Sequence, residues 1–147
     1  MTSPPKLVLD TNVLRNKDFI NWLSSEYHGM VVTSPVAYME NRRQLIGNKK
    51  DPDKLDDLLT NANITVEEFG KKEANIAALF MAGREKVCPE CGKIDWADTM
   101  IYASIGNPPT LLVTSNVDDY PSDDRVKTPA EIKRQFSHRR RQSSHHL

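Results

Sequence analysis

Cysteine is nearly missing from this chain: two residues in 147, both within "CPEC". So few exclude a disulfide framework as the source of stability. No apolar run approaches the roughly 18 residues that would carry a helix across a bilayer. The opening "MTSPPK" lacks the apolar stretch of a secretory signal, so a cytoplasmic protein without membrane attachment is expected. Glycine-rich phosphate loops are absent as well. Neither GxxxxGK[ST] nor GxGxxG occurs, which removes support for nucleotide-fuelled and dinucleotide chemistry. No G-x-S-x-G elbow offers a serine nucleophile, and no internal repeat is visible. Net charge is missing too, with 20 basic side chains against 20 acidic ones. The balance is uneven. From Lys133 onward there are 5 basic residues and no acidic one, which leaves the preceding body about −5 formally.

What is present describes an ordinary folded domain. The length fits one domain with a core of its own, and 38% hydrophobic with 27% charged residues is a globular composition. "KLVLD" (Lys6–Asp10), "MVVT" (Met30–Thr33), "ITVEEF", "TLLVT" (Thr110–Thr114) and "RVKTP" read as short strands. Between them lie helical patterns. Val13–Ser25 is one, with Asn12 or Thr11 able to cap it. "SPVAYMENRRQLIG" has Ser34 at the cap, Pro35 at the first helical position and Gly47 as a stop. "DPDKLDDLLTNA", Lys71–Lys86 and Asp95–Ile105 complete the set. Strands alternating with helices predict an α/β fold, a three-layer α/β/α sandwich around a mostly parallel sheet. Residues 1–136 are expected to form a single domain and 137–147 a disordered basic tail.

Open parallel sheets collect ligands beyond the carboxyl ends of their strands. Asp10 sits at such an end, as does the polar cluster Thr114, Ser115, Asn116, Asp118 and Asp119. Glu40 shares a helical face with Val36 and Met39, which turns it toward the packed side, where a carboxylate needs a partner. The plain alternative is a pair with Arg43 one turn on. Asp95 and Asp98 open a helix that is apolar almost all round, which implies burial with an acidic first turn aimed inward. In the plain reading Asp95 is the helix cap and Asp98 its capping partner; for Asp95 cap and site roles are balanced, and for Asp98 the site role is favoured. Asp10, Glu40, Asp98 and Asp119 thus come from four segments and can point at one place. Gathered carboxylates repel, and a hard divalent cation, Mg²⁺ or Mn²⁺, resolves this. Such an ion can activate a bound water toward a phosphodiester, and a second ion ~4 Å away can neutralise the leaving oxygen.

In this order the motifs resemble those of the PIN domain family, and within it the small ribonucleases of the VapC toxin type. "VLDTNVL" resembles the first motif, "TSPVAYMEN" the second with Glu40, and "DTMIYAS" the third, which picks Asp98 over Asp95. "LLVTSNVDDY" resembles the fourth, Thr-x-Asn-x-x-Asp-Phe, through Thr114, Asn116 and Asp119, with Tyr120 where phenylalanine is usual. The resemblance covers about Lys6 to Val126. It implies a PIN-like nuclease domain, a Mg²⁺- or Mn²⁺-dependent endoribonuclease acting on single-stranded RNA, often dimeric and, if a toxin, covered by an antitoxin protein. Asp10, Glu40 and Asp98 would bind the ion and Asn116 or Asp119 complete its shell, with Thr114, Asn12 and Asp95 as supporting groups. "VCPECGKID" and the basic tail depart from the toxin pattern, which leaves a toxin and an RNA-processing enzyme both open. The contrasting class is a PIN-like adaptor that binds RNA or a protein without catalysis.

Other features have plainer readings. Cys88 and Cys91 are half of a zinc site, and structural zinc takes four ligands. His28, His138, His145 and His146, or a second subunit's pair, are the available completions; a reduced turn is the expectation. Arg42 and Arg43, beside Glu40, are candidate RNA contacts, with Lys49, Lys50, Arg84, Lys86 and Lys93 behind them. "SHRRRQ" could add salt-sensitive affinity for RNA. Trp22, Trp96 and the tyrosines are expected in the core, except Tyr120, which either packs beneath the fourth motif's loop or touches a base.

Overall fold

Leu7–Leu9 form strand β1 at the centre of a five-stranded sheet, and all three side chains are buried. A strand covered on both faces reads as a continuous apolar run, which is why "LVL" shows no alternation. The computed structural model describes residues 4–87, 96–106, 110–121 and 123–144. After β1 and a 3-10 turn (Val13–Arg15) come α1 (Lys17–Glu26), β2 (Val31–Thr33), α2 (Pro35–Gly47), α3 (Asp53–Asn61) and β3 (Thr65–Val66). Then follow α4 (Lys71–Val87), α5 (Trp96–Ala103), β4 (Leu111–Val113), a 3-10 turn (Val117–Asp119), β5 (Val126–Lys127) and α6 (Pro129–Ser144).

Every strand pairing is parallel, in the order β3-β2-β1-β4-β5, with Leu9 level with Thr33 on one side and Val113 on the other. The chain steps from β1 to β2 and β3, then returns past β1 to β4 and β5. Right-handed crossovers in opposite directions lay helices on opposite faces, so the α/β/α layering follows. The reversal also makes the carboxyl ends of β1 and β4 the topological switch point. That places Asp10 and Thr114 side by side. Phe19, Leu7, Leu9, Ile101, Leu112 and Ile132 are the largest fully buried side chains and unite both layers. Among the described residues no helix is long and apolar enough to cross a membrane.

Several boundaries differ from the sequence reading, each for a local reason. The helix expected from Val13 begins at Lys17, capped by Asn16, whose side chain accepts from the Phe19 N–H at 3.1 Å. Asn12 instead heads the 3-10 turn Val13–Arg15, which stands between it and the helix. α2 runs through Gly47 and ends where Lys49 adopts φ 57, with the Lys50 N–H donating back to the Leu45 carbonyl at 2.8 Å. Its buried face is Val36, Ala37 and Asn41, whereas Met39 is 58% exposed. Of "ITVEEF" only Thr65–Val66 pair as strand. Trp96, expected inside, is 71% exposed at the first turn of α5, whose buried residues are Thr99, Ile101 and Ala103.

α6 continues to Ser144, into the stretch expected as a basic tail. Its start is a reciprocal capping box: the Thr128 N–H donates to Glu131 Oε1 and the Glu131 N–H to Thr128 Oγ1, both at 3.1 Å. Ile132 is fully buried, and Phe136 meets the Tyr27 ring edge-on with centroids 5.1 Å apart. The Trp22 indole N–H donates to Ser137 Oγ at 3.0 Å, fastening α6 to α1. A docked first half lets good helix formers such as Arg and Gln propagate the second.

Candidate active site

Asp10 leaves β1 with its N–H still donating to the Val113 carbonyl at 2.9 Å, so the ladder holds its backbone to β4. The side chain is 4% exposed, and both oxygens are occupied. Oδ1 accepts from the Thr11 N–H at 2.7 Å and Oδ2 from the Thr114 hydroxyl at 2.6 Å, with the Asn12 amide 3.4 Å away. Thr114 Oγ1 in turn accepts from the Asn116 N–H at 3.0 Å, and Asn12 Oδ1 accepts from the Ser115 N–H at 3.0 Å. A buried carboxylate without a pairing cation needs such donors. The hydrogen bonds from Asn12 and Thr114 sew the loop after β1 to the loop after β4.

Asp98 arrives from the first turn of α5, where the helix dipole favours a negative charge. Its Oδ1 is approached by the Tyr120 hydroxyl at 3.4 Å. Tyr120 is 7% exposed, and its ring lies tilted against Tyr102 at a centroid distance of 6.5 Å. Burial first, then the charges of Asp10 and Asp98, push the Tyr120 pKa far above the usual tyrosine range, so the hydroxyl keeps its proton and acts as a donor. Both carboxylates bear on this one hydroxyl. Asp10 and Asp98, far apart in sequence, therefore meet around Tyr120, and the tyrosine packs beneath the loop.

The other predicted groups are placed more loosely. Glu40 is half-buried on α2, which packs against α5. Arg43 is exposed, and no ion pair joins it to Glu40 among the described residues. Asn116, Asp118 and Asp119 are exposed at the 3-10 turn after β4. Asp95, Cys88 and Cys91 lie outside the described residues. Among the described residues no three acidic, histidine or cysteine side chains stand close enough together to hold a metal ion by themselves. The donor chemistry nevertheless suits a hard cation, since Mg²⁺ is commonly held by one or two carboxylates and keeps several waters. Asp10 and Asp98 meet that requirement, with Glu40 one helix away.

Arg42 is engaged within its own layer. Its Nη1 donates to Tyr38 Oη at 3.2 Å and to Asp56 Oδ2 at 3.2 Å, reaches Asp53 Oδ1 at 3.4 Å, and so clamps α2 to α3. The sequence reading missed Asn41, a 6% exposed amide on α2. Its Nδ2 donates to the Thr11 carbonyl at 3.1 Å and the Ala37 carbonyl at 2.9 Å, while Oδ1 accepts from Arg15 Nε at 3.0 Å. The available signal was an amide four residues after the buried Ala37. A cavity of about 520 Å³ lined by Lys6, Glu67, Lys72, Glu73, Ser104 and Thr110 contains none of the residues gathered at Tyr120.

This architecture is the PIN-like α/β/α fold of VapC-type toxin structures. No protein-family model matches the chain, and no curated protein sequence matches it. A toxin–antitoxin complex from Klebsiella pneumoniae aligns with TM-score 0.63 at 17% identity, covering 84% of this chain and 97% of that one. DNA-bound VapBC from Salmonella typhimurium aligns with TM-score 0.57 at 19% identity, covering 85% and 97%. VapBC-1 from nontypeable Haemophilus influenzae gives TM-score 0.59 at 17% identity over 78% and 89%. At these identities the likeness establishes the fold.

Proposed function

We propose that the chain is a metal-dependent endoribonuclease of the PIN type, acting as the toxin of a toxin–antitoxin pair. The observation that carries this reading is the placing of Asp10 at the switch point of the sheet, with Asp98 approached at 3.4 Å by the buried Tyr120 hydroxyl, which also feels the charge of Asp10. Mg²⁺ or Mn²⁺, when bound, would supply Lewis-acid stabilisation and an activated water for phosphodiester hydrolysis. The chain's own residues do the positioning. Asp10 is held by Thr11 and Thr114, Asp98 is presented by α5, and Glu40 would join them from α2, the helix packed against α5. Asp119 and Asn116, exposed on the turn after β4, would meet the ion's waters or the RNA strand. The toxin assignment and an antitoxin partner draw support from neighbours that are toxin–antitoxin assemblies; assembly as a homodimer is part of the same proposal.

The test is cleavage of an unstructured RNA with Mg²⁺ or Mn²⁺ by the parent and by Asp10→Asn. The parent is expected to cleave and D10N to lose cleavage while keeping its circular dichroism spectrum. Equal cleavage by both removes Asp10 from the mechanism. RNA binding without cleavage by the parent, under either metal, would favour the non-catalytic adaptor.

A further inference from the structure

We infer that Arg15, oriented by the buried amide of Asn41, is the cation that takes an RNA backbone phosphate beside the acidic pair. The inference rests on the ribonuclease reading above. An acidic site repels a polyanion, and at least one fixed cation at its rim is needed to hold the strand in register. The sequence offered Arg42, but its guanidinium is held by Asp53, Asp56 and Tyr38. Arg15 is differently placed. It ends the 3-10 turn that follows Asn12 and is exposed, and of its side-chain nitrogens Nε donates to Asn41 Oδ1 at 3.0 Å. Among the described residues its two Nη groups meet no acceptor.

Asn41 makes the placement specific. It sits next to Glu40 on α2, and its amide also donates to the carbonyl of Thr11, the residue whose N–H binds Asp10. One amide therefore ties the Glu40 turn, the Asp10 loop and the Arg15 side chain together. A guanidinium fixed through Nε presents its two Nη groups as a fork, the geometry that matches two phosphate oxygens. Arg15 is a binding residue in this scheme, and Asn41 positions it.

The experiment measures anisotropy of a fluorescein-labelled single-stranded RNA over a range of KCl concentrations. Ca²⁺ replaces Mg²⁺, and the full-length parent, R15A and R15K are compared. R15A should bind about tenfold more weakly and lower the slope of log affinity against log salt by about 0.7, one single-strand phosphate contact. R15K should restore the slope, because it keeps the charge, but only part of the affinity, because it loses the Nε bond to Asn41. Parent-like affinity and slope in R15A overturn this inference alone, since the parent would still bind RNA. A parent that neither binds nor cleaves RNA overturns the ribonuclease reading and this inference with it. Because Arg15 is exposed, R15A is expected to fold as the parent does.

Discussion

At the scale of single residues, the candidate site is organised by hydroxyl groups as much as by acids. Thr114 donates to Asp10 at 2.6 Å from a fully buried position. Replacing it by valine keeps the volume and removes a donor to a buried charge. T114V should therefore lose about 2 kcal/mol of stability in urea at neutral pH. Tyr120 offers a longer contact, 3.4 Å to Asp98, from an almost fully buried ring. Y120F should lose about 1 kcal/mol, because the ring packing survives and one hydrogen bond does not. If Y120F unfolds at the parent's urea midpoint, the hydroxyl is not holding Asp98.

At the scale of elements, α6 shows how a short local signal decides whether a segment folds. The reciprocal bonds between Thr128 and Glu131 satisfy the first turn, and Ile132 and Phe136 then dock. T128A should cost about 1 kcal/mol. The Thr128 N–H, followed by its side chain, holds the Glu131 carboxyl below the ordinary value of 4.5. A depressed carboxylate pKa stabilises the fold above the unfolded value, and the contribution is lost as pH falls through the folded one. The difference between the parent and E131Q in thermal melts should therefore shrink on acidification below pH 4.5. A difference that stays constant down to strong acid would mean that the Glu131 charge plays no part in the cap.

At the scale of the whole molecule, an ion pair ties α5 to the approach to β5, beside the Tyr102 ring that lies against Tyr120. Asp123 accepts from the Arg125 N–H at 2.8 Å, from Arg125 Nη2 at 3.0 Å and from the Tyr102 hydroxyl at 2.8 Å, while Arg125 Nη1 donates to the Gly106 carbonyl at 2.8 Å. This joins α5 and its following turn to the approach to β5. The Arg125 guanidinium holds the Asp123 pKa at about 2 against an ordinary 3.8. Its stabilisation is complete above pH 3.8 and is lost as pH falls toward 2. Parent and D123N should therefore differ by a constant amount at neutral pH and converge near pH 2, read from urea midpoints across that range. Convergence at a higher pH would show that Arg125 does not depress this group. In the core, Leu112 is fully buried on the strand that links both halves of the sheet, and L112A should cost about 3 kcal/mol.

The sequence by itself determined the α/β class, the parallel sheet and the acids at the strand ends. Those features follow from local patterns: continuous apolar runs, caps such as Ser34, and polar residues directly after "LVL" and "LLV". Asp10 and Thr114 were legible for the same reason, whereas Asp98 was read from the first turn of a nearly all-apolar helix and from the resemblance of "DTMIYAS" to the third motif. Tertiary structure alone decided the rest. Whether Arg42 faces RNA or Asp56, whether Trp96 is buried, and whether Asn41 is a surface amide or a buried tie depend on which neighbouring helix covers each face. Periodicity defines a face but not its partner. The length of α6 was hidden too, because its second half has no apolar pattern and is helical through the docking of the first half onto α1. The bridge from Tyr120 to residues more than twenty positions away depends on chain reversal at the switch point, which no local pattern encodes.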